Sequence, residues 1–561
     1  MRCLKISSWI FLLFFLVYFS YFWLNVGKFE NGNFFLRQSN MWGDWALHFT
    51  VGSAFAERSF WLSENPLLIN TQISYPPFTG WLAAILFKLG LPFFAAFIVP
   101  SYFFSLLIVL VLFLFFKILL KSQKMAVAAS LLYLLNGGWG FIYYFAEIAN
   151  SADKWRAIFF PVQEYTDMAE KGIHFMSFLT SMIYPQRAFA VGFPLVLGAL
   201  GIVMYLLVLK KKVNKQYRWP LLAITTITIG ISPIIHPHAA LAAAIILLSW
   251  FAFHLAENWR GKNLQQKLSR ALRKSREWLA VGGGSILIAL FLLVFFFASS
   301  VENKTSFISL NPGFMSAESD YSWPVYWLMN WGLVPVLGIS GLLLLFKFNK
   351  TAGKVIFPFF LIFLLANIWQ FQPWIWDNMK LLAWSAVGIV AAATIAIQKI
   401  WSQKGLLPRL AAALIFLSCI SSGSLEMLKN LQFSRHHYLM YSAEELELAN
   451  WIKSHTHKDS IWLTSTVSNN WTYNLTGRQT ILAYPGWLIS HGYKINEVME
   501  DHARMMRSPQ TALDLFAKYQ ITHIAIGPRE IEQHDADLER FGQLFTPIKT
   551  TQNYTIFQTE N

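Results

Sequence analysis

The sequence has little charge and almost no cysteine. Only 13% of its 561 residues are charged, and its two cysteines are Cys3 and Cys419. Both lie beside or inside apolar segments, so we expect neither a disulfide bond nor a cysteine metal site. Residues 426–561 also lack a glycine-rich phosphate loop, a metal-ligand spacing and a nucleophile elbow. Their absence argues against P-loop, zinc-finger and serine-hydrolase classes for this region.

Apolar segments of bilayer length are abundant instead. Hydrophobic residues make up 55% of the chain and aromatic residues 17%. A membrane span needs roughly 20 apolar residues, so these segments indicate a polytopic membrane protein. The net charge of +15 comes from basic residues in short loops between the segments. That placement is typical of membrane topology, and it argues against a nucleic-acid partner.

The segments predict a mainly α fold with about 11 spans and additional juxtamembrane helices. The first segment lacks a small-residue cleavage site, so we expect a retained span with a cytoplasmic N-terminus. Residues 77–90 are predicted to be a short juxtamembrane or re-entrant helix, because a full span there would place the basic cluster 121–124 outside. The predicted spans are 8–26, 92–120, 125–145, 188–209, 219–235, 239–256, 278–299, 325–346, 355–371, 380–400 and 408–423.

Two domains follow from this topology. Residues 1–425 form the membrane domain, with outer loops 28–91, 146–186 and 300–324. Residues 426–561 combine an amphipathic helix with short apolar runs typical of buried strands. We therefore expect a small extracytoplasmic α/β domain at the C-terminal end of the chain.

Asp44 and His48 stand four residues apart in the first outer loop, so they share a face if that stretch is helical. An ionisable group just beyond a span is commonly functional. Together the two side chains could bind a divalent metal, or act as a base and the group that orients it. The alternative is a helix cap or a solvated carboxylate at the interface.

Two basic residues at the outer ends of predicted spans suit an anionic ligand. Arginine, as in Arg187, offers a fixed fork of donors that matches a phosphate. Lys380 lies at an outer end, against the charge rule. Snorkelling toward lipid headgroups is the alternative for Arg187, and a helix pair with Asp377 is the alternative for Lys380.

Histidines and further carboxylates reach the same predicted face. His236 and His238 suit metal ligation or donation to a phosphate, although interfacial histidines are often only structural. Asp153 and Glu164 are possible second carboxylates. Tyr75, in the Tyr75-Pro76-Pro77 turn, precedes a predicted helix, since proline suits the first helical turn. Trp487 follows Tyr484-Pro485-Gly486 and is an acceptor-site candidate, with a packed turn as the alternative.

The stretches Gly43-Asp44-Trp45-Ala46-Leu47-His48 and Ser74-Tyr75-Pro76-Pro77-Phe78 resemble the GT-C superfamily of membrane glycosyltransferases. The resemblance covers the membrane part as architecture and only these motifs as sequence. By it, Asp44 corresponds to the catalytic first-loop carboxylate of that superfamily. The Trp-Trp-Asp motif of oligosaccharyltransferases is absent, and tyrosine replaces the lysine or histidine before the paired prolines in related transferases. Neither branch therefore supplies the substrate.

The resemblance implies transfer of a sugar from a polyprenyl-phosphate-linked donor to a glycan, lipid or protein acceptor at the outer face. Asp44 would act as the base, while Arg187, Lys380 and His236 would neutralise the departing phosphate. Apart from the resemblance, the residues themselves make His48, Asp153 and His238 candidates for orienting groups or holding a divalent metal ion, and Tyr75, Asp377 and Trp487 candidates for acceptor-side or loop positions. A bacterial inner membrane is the expected location.

Two other functions remain open from the sequence. A transporter or flippase would place polar groups near the bilayer midplane and often shows inverted repeats. The spans contain few charges and no clear repeat, which favours an enzyme at the interface. A scaffold with a partner-binding outer domain is the third alternative, and the spread of polar motifs over several loops disfavours it.

Overall fold

The computed structural model describes residues 4–61, 64–174, 177–261, 263–297 and 308–559. Cys3 and the 300–307 part of the predicted outer loop lie outside these ranges. Contacts divide the chain into two units. The first, called the membrane unit, comprises residues 1–23, 101–295 and 308–432. The second, called the outer unit after the side that the sequence predicts for it, comprises residues 24–100, 296–307 and 433–561.

Helices dominate the described ranges. They are α1 (Ile6–Asn25), α2 (Trp42–Glu57), α3 (Phe78–Lys88), α4 (Ala95–Leu120), α5 (Gln123–Leu135), α6 (Phe141–Asn150), α7 (Lys154–Phe159), α8 (Arg187–Val203), α9 (Lys215–Gly230), α10 (Ser232–Ile235), α11 (Pro237–Asn258), α12 (Leu264–Lys274), α13 (Arg276–Phe297), α14 (Trp323–Trp331), α15 (Val334–Phe348), α16 (Lys350–Ile368), α17 (Met379–Trp401), α18 (Leu406–Lys429), α19 (Ala443–His455), α20 (Trp471–Thr476), α21 (Pro485–Ser490), α22 (Asn496–Arg507), α23 (Leu513–Lys518), α24 (Pro528–His534) and α25 (Leu538–Leu544). One-turn π-helical segments cover Leu179–Ile183 and Met204–Val208.

The strands are short. They are β1 (Gly27–Glu30), β2 (Asn33–Leu36), β3 (Ser309–Leu310), β4 (Trp369–Gln370), β5 (Tyr438–Tyr441), β6 (Ile461–Leu463), β7 (Gln479–Thr480), β8 (His523–Ile526), β9 (Thr546–Thr550) and β10 (Thr555–Gln558).

Among the described residues, eight helices are long and apolar enough to cross a membrane, or nine if one bent pair counts as a single span. The sequence predicted about 11. The predicted span 325–346 is the bent pair, α14 and α15, which meet at 97°. Gly332 between them has a φ of +61°, a conformation that glycine adopts without strain. The chain is an integral membrane protein with the polytopic helical class that the sequence predicted.

Two other predicted spans are shorter than expected. The 125–145 prediction ends as α5 at Leu135, where Asn136 takes an extended conformation, and Gly138 then turns the chain with a φ of +68°. The 219–235 prediction is divided between α9 and α10. The segment predicted as a short helix at 77–90 is α3, whose 11 residues extend about 16 Å and cannot cross a bilayer.

The outer unit contains a five-stranded sheet in the order β7-β6-β8-β10-β9. Strand β6 runs parallel to β7 and to β8, while β8, β10 and β9 pair antiparallel. A second sheet joins β1 and β2 to β5. The first outer loop therefore folds with the C-terminal residues, in contrast to the sequence-based boundary at residue 426. The Thr50 hydroxyl of α2 also donates to Asn474 of α20, at 2.7 Å.

The loop between α7 and α8 is held to the end of α18 within the membrane unit. Lys429 donates to Glu164 at 2.8 Å, and the Thr166 backbone N–H donates to Glu426 at 3.2 Å. Burial raises the pKa of Asp167 from its ordinary 3.8 to about 7, and the carboxylates of Glu164 and Glu170 also raise it. A carboxyl group with a raised pKa disfavours the folded loop once it is ionised.

We expect the favourable contribution of protonated Asp167 to this loop to be fully present below about pH 4, where Asp167 is protonated in both the folded and the unfolded loop. That contribution should be lost as the pH rises through 7, which lowers the stability of the loop by on the order of 2 kcal/mol. Asp167→Asn should remove this dependence and slow amide hydrogen exchange across 164–173 at pH 8, after correction for intrinsic rates. Equal pH dependence in the variant would contradict the assignment.

Buried Arg478 closes the C-terminal end of α19 in the outer unit. Its guanidinium group donates to the carbonyl oxygens of Ile452, Lys453, Thr456 and Thr476 at 2.9–3.3 Å. The Ile452 carbonyl oxygen also accepts from the Thr456 backbone N–H at 3.0 Å, whereas the carbonyls that follow it lie at the helix end, where helical backbone donors run out. One side chain therefore satisfies several buried acceptors at once.

Arg478→Met should destabilise the outer unit by about 3 kcal/mol, because buried carbonyl groups lose their donors. Thermal unfolding of the purified protein and limited proteolysis of 433–559 measure the loss. The control is Arg507→Met, since the Arg507 side chain is 61% exposed and pairs only at the surface. A similar effect of both substitutions would contradict a specific role for Arg478.

Candidate functional site

Three helices of the membrane unit begin close to one another. They are α8, which starts at Arg187, α11, which follows His236, and α17, whose second residue is Lys380. The ring centroids of Phe189 and His236 lie 5.6 Å apart, and those of Phe193 and Trp384 lie 4.8 Å apart. The first turns of α8 thus contact the starts of both other helices.

Small residues permit this close approach. A Cβ atom on Gly192 would lie 2.7 Å from the Cβ atom of His236, which is closer than carbon atoms can pack. Glycine at position 192 therefore allows the turn before α11 to lie against α8. Pro237 fixes the first residue of α11, where its missing N–H is not needed.

Positive charge and imidazole groups are concentrated at these helix starts. Arg187, His236 and His238 are only 2%, 4% and 6% exposed. The imidazole rings of His236 and His238 lie 5.3 Å apart, and the Lys380 ammonium group acts electrostatically on both. Lys380 also binds Asp377 at 2.8 Å. The structure thus brings together His236, His238, Lys380 and Asp377, all of which the sequence analysis named. Arg187 is the first residue of α8, the helix that contacts them.

Neither nitrogen of the His236 ring has a hydrogen-bond partner in the described part of the chain. A buried polar group without a partner is uncommon and calls for a ligand, an ion or water. Helix N-termini carry partial positive charge and free N–H groups. Because three N-termini, two basic side chains and an unpartnered imidazole meet here, this end of the membrane unit suits an anion.

The residues of the outer unit form a second group around the start of α2. Asp44 lies in the first turn of α2, where the helix dipole favours a carboxylate, and Met41 rather than Asp44 precedes the helix as its cap residue. His48 is buried one turn later. The Tyr75 ring lies 5.8 Å from the His48 ring and 5.4 Å from that of His491. The turn expected at Tyr75-Pro76-Pro77 therefore packs directly on the face that carries His48.

A cavity of 660 Å³ adjoins the start of α2 in the outer unit. Trp42 and Tyr438 stack in its wall with ring centroids 5.6 Å apart. The Arg529 guanidinium group donates to the Asn469 carbonyl oxygen at 2.8 Å. The cavity is lined by Trp42, His437, Tyr438, Leu439, Thr466, Val467, Ser468, Asn469, Tyr484, Pro485, Arg529 and Gln533. Aromatic faces with a few fixed polar groups are typical of small-molecule and glycan sites.

Sequence reasoning missed Arg529, Asn469 and Tyr438. A signal existed, because residues 464–470 follow β6 and residues 527–529 follow β8. These strands are adjacent and parallel, and ligands commonly bind beyond the carboxyl ends of parallel strands. Recognising that pairing from single short strands was the missing step.

Several predicted residues have structural roles. Trp487 is 7% exposed and packs edge-on behind Tyr484, at 5.5 Å, rather than lining the cavity. Asp153 caps α7 by accepting from the Arg156 backbone N–H at 3.0 Å. Glu164 forms an ion pair with Lys429. Asp377 forms an ion pair with Lys380, which is the structural alternative that the sequence analysis gave for these two residues.

The residues present do not fit a metal centre. Within the described ranges, His, Cys, Asp and Glu form no group of three or more that could hold a metal ion. The predicted ligands His48, Asp153 and His238 are distributed over both units, and Asp153 is a helix cap. No catalytic step is therefore derived through a metal.

Comparison with known proteins identifies the fold. No family model and no curated protein matches the chain. Among solved structures, the Archaeoglobus fulgidus oligosaccharyltransferase tethered to an acceptor peptide is 12% identical, with a TM-score of 0.56 over 99% of this chain and 74% of that one. The oligosaccharyltransferase AglB from Archaeoglobus fulgidus, in complex with an inhibitory peptide and a dolichol-phosphate, is 12% identical, with a TM-score of 0.55 over 99% of this chain and 74% of that one.

A third structure of that oligosaccharyltransferase, in complex with Zn and sulfate, is 12% identical with a TM-score of 0.52, covering 92% of this chain and 68% of that one. At this identity the likeness concerns the fold. It extends over the whole chain, membrane helices and outer domain alike. The chain therefore has the fold of these oligosaccharyltransferase structures, in agreement with the polytopic architecture that the resemblance implied.

Proposed function

We propose that this chain is a membrane glycosyltransferase that moves a sugar from a polyprenyl-phosphate-linked donor to an acceptor at the outer membrane face. The observation that carries the proposal is the meeting of three helix N-termini with Arg187, Lys380 and His236 in the membrane unit. These groups suit the phosphate of a membrane-embedded lipid. A structure of similar fold is in complex with a dolichol-phosphate, which supports the same class of donor.

In the proposed reaction, these positive groups assist the departure of the lipid phosphate from the sugar. The acceptor nucleophile attacks the anomeric carbon of the sugar, the bond from that carbon to the phosphate oxygen breaks, and polyprenyl phosphate leaves as an anion. Arg187 and Lys380 stabilise the negative charge that develops on the leaving oxygen, and His236 donates a hydrogen bond to it. Fixed positive groups at such a position are usually the largest single contribution to catalysis.

Asp44 takes the proton of the acceptor nucleophile in this proposal. It lies in the first turn of α2, where the helix dipole favours a carboxylate, which is the form that accepts a proton. His48, one turn further on, contacts Tyr75 and positions this end of the helix. The neighbouring cavity, with Trp42, Tyr438 and Arg529, would bind the acceptor by stacking and hydrogen bonds.

The location follows from the same scheme. Basic residues cluster in the short loops that the sequence assigned to the inner side. We therefore propose a bacterial inner membrane with a cytoplasmic N-terminus and a periplasmic outer unit.

Asp44→Asn should lower the sugar-transfer rate by about 10²–10⁴-fold, because the amide cannot accept the proton. The measurement supplies membranes with a radiolabelled polyprenyl-phosphate-linked sugar and counts labelled product and released polyprenyl phosphate. Asp514→Asn, an exposed carboxylate of the outer unit, should leave the rate unchanged. Full activity of Asp44→Asn would remove Asp44 from the mechanism, and passage of unaltered sugar lipid across liposomes without transfer would replace the enzyme by a transporter.

Lys380→Met should lower the transfer rate by about 10²-fold, since positive charge is lost where the phosphate leaves. It should also weaken competition by added polyprenyl phosphate in the same assay. Lys350→Met is the matched control, because Lys350 is also at a helix start but is exposed. Unchanged inhibition by polyprenyl phosphate in Lys380→Met would contradict the phosphate assignment even if the rate fell.

A further inference from the structure

A basic helix connects two membrane-spanning helices of the membrane unit. Residues 260–276 link α11 to α13 and include α12, whose N-cap Asn263 accepts from the Gln266 backbone N–H at 2.9 Å. No acidic residue occurs anywhere in this 260–276 stretch. The described basic residues in it are Arg260, Lys267, Arg270, Arg273, Lys274 and Arg276.

These basic side chains are available to an external anion. Within the part of the chain that the structure describes, none of the six forms an ion pair with an Asp or Glu. The nearest acidic residues in sequence are already engaged, since Glu257 binds Lys210 and Lys354, and Glu277 binds Arg218. The positive charge of α12 is therefore not neutralised from within the unit.

The same helix exposes a row of leucines. Leu264, Leu268 and Leu272 are 71%, 48% and 52% exposed, and a spacing of four residues puts them on one side of α12. Ala271 is the buried residue of the helix. Arg270 and Arg273 project from the opposite side, at the helical angle of 100° per residue. A helix with exposed leucines on one side and basic residues on the other is typical of membrane surfaces.

The connections hold α12 at the membrane surface. Both α11 and α13 are long and apolar enough to span the bilayer, so their linker leaves and re-enters the same leaflet. The leucines can then enter the acyl boundary while the basic side chains reach the headgroups. A nucleic acid or an acidic protein would neutralise the charge but would leave the leucine row in water.

We propose that α12 is an interfacial helix that binds acidic phospholipid headgroups of the leaflet it adjoins. The leucine row anchors the helix in the acyl boundary, and Lys267, Arg270, Arg273 and Lys274 select anionic over zwitterionic headgroups. This interaction surface is independent of the sugar-transfer chemistry.

The test labels the full-length protein at one position at a time. Single-cysteine variants Leu268→Cys and Ser269→Cys, on a Cys3→Ser and Cys419→Ala background, carry an environment-sensitive fluorophore. They are reconstituted in vesicles of phosphatidylcholine alone or mixed with phosphatidylglycerol. The label at 268 should be quenched by lipids carrying a nitroxide in the acyl chain, more strongly when phosphatidylglycerol is present, and the label at 269 should be quenched by aqueous iodide.

Charge and leucine variants complete the test. Arg270→Gln with Arg273→Gln should weaken the preference for phosphatidylglycerol by up to about fivefold per residue, read from lipid retention in native mass spectrometry. Lys211→Gln with Lys212→Gln removes two exposed charges from another loop and should have a smaller effect. Replacing the three leucines by serine should abolish quenching from the acyl chains. Iodide quenching at 268 equal to that at 269, or no difference between the two vesicle types, would overturn the proposal.

Discussion

The short ion pair between Lys380 and Asp377 fixes the start of the most enclosed membrane-spanning helix. In α17 the partly buried Lys380 ammonium group lies in the first turn, where the helix dipole is unfavourable to a cation, and Asp377 offsets that charge at 2.8 Å. Two buried imidazole groups lie within the electrostatic reach of the same ammonium group. Asp377 is the anion that offsets this charge within the chain, and a lipid phosphate is the further anion that the proposed function places beside it.

The cavity of the outer unit is formed by strand ends rather than by helix starts. It is built beyond the ends of two parallel strands, where backbone groups no longer pair within the sheet. Arg529 is fixed there by the Asn469 carbonyl oxygen and lies 3.7 Å from Glu445, so its planar group is oriented before any ligand arrives. Trp42 belongs to the wall of this cavity and also begins α2, the helix that carries Asp44. One residue of the cavity wall and the proposed base are thus carried by the same helix.

Sequence reasoning identified features set by local chemistry. The amphipathic helix of the C-terminal region, the short helix after Pro76-Pro77 and the polytopic helical class follow from spacing and apolar length, and the structure contains each of them. The sequence did not predict the bend between α14 and α15, because hydropathy carries no information on the φ of +61° at Gly332. The pairing of β2 with β5 was not predicted, since it joins residues about 400 positions apart and no local pattern encodes such a contact.

The difference between local chemistry and long-range contacts also explains which candidate residues the sequence analysis named. His236, His238 and Lys380 are unusual in type for their place beside apolar segments, so rarity alone marked them. Arg529 and Asn469 are ordinary residues of a soluble domain, and they acquire significance only when β6 and β8 lie side by side. Asp153 and Trp487 had the right chemistry, but a cap and a packed turn use it locally. In a membrane protein, polar residues near the spans are therefore more informative one by one than those of an attached soluble domain, where only the fold shows which of them face a ligand.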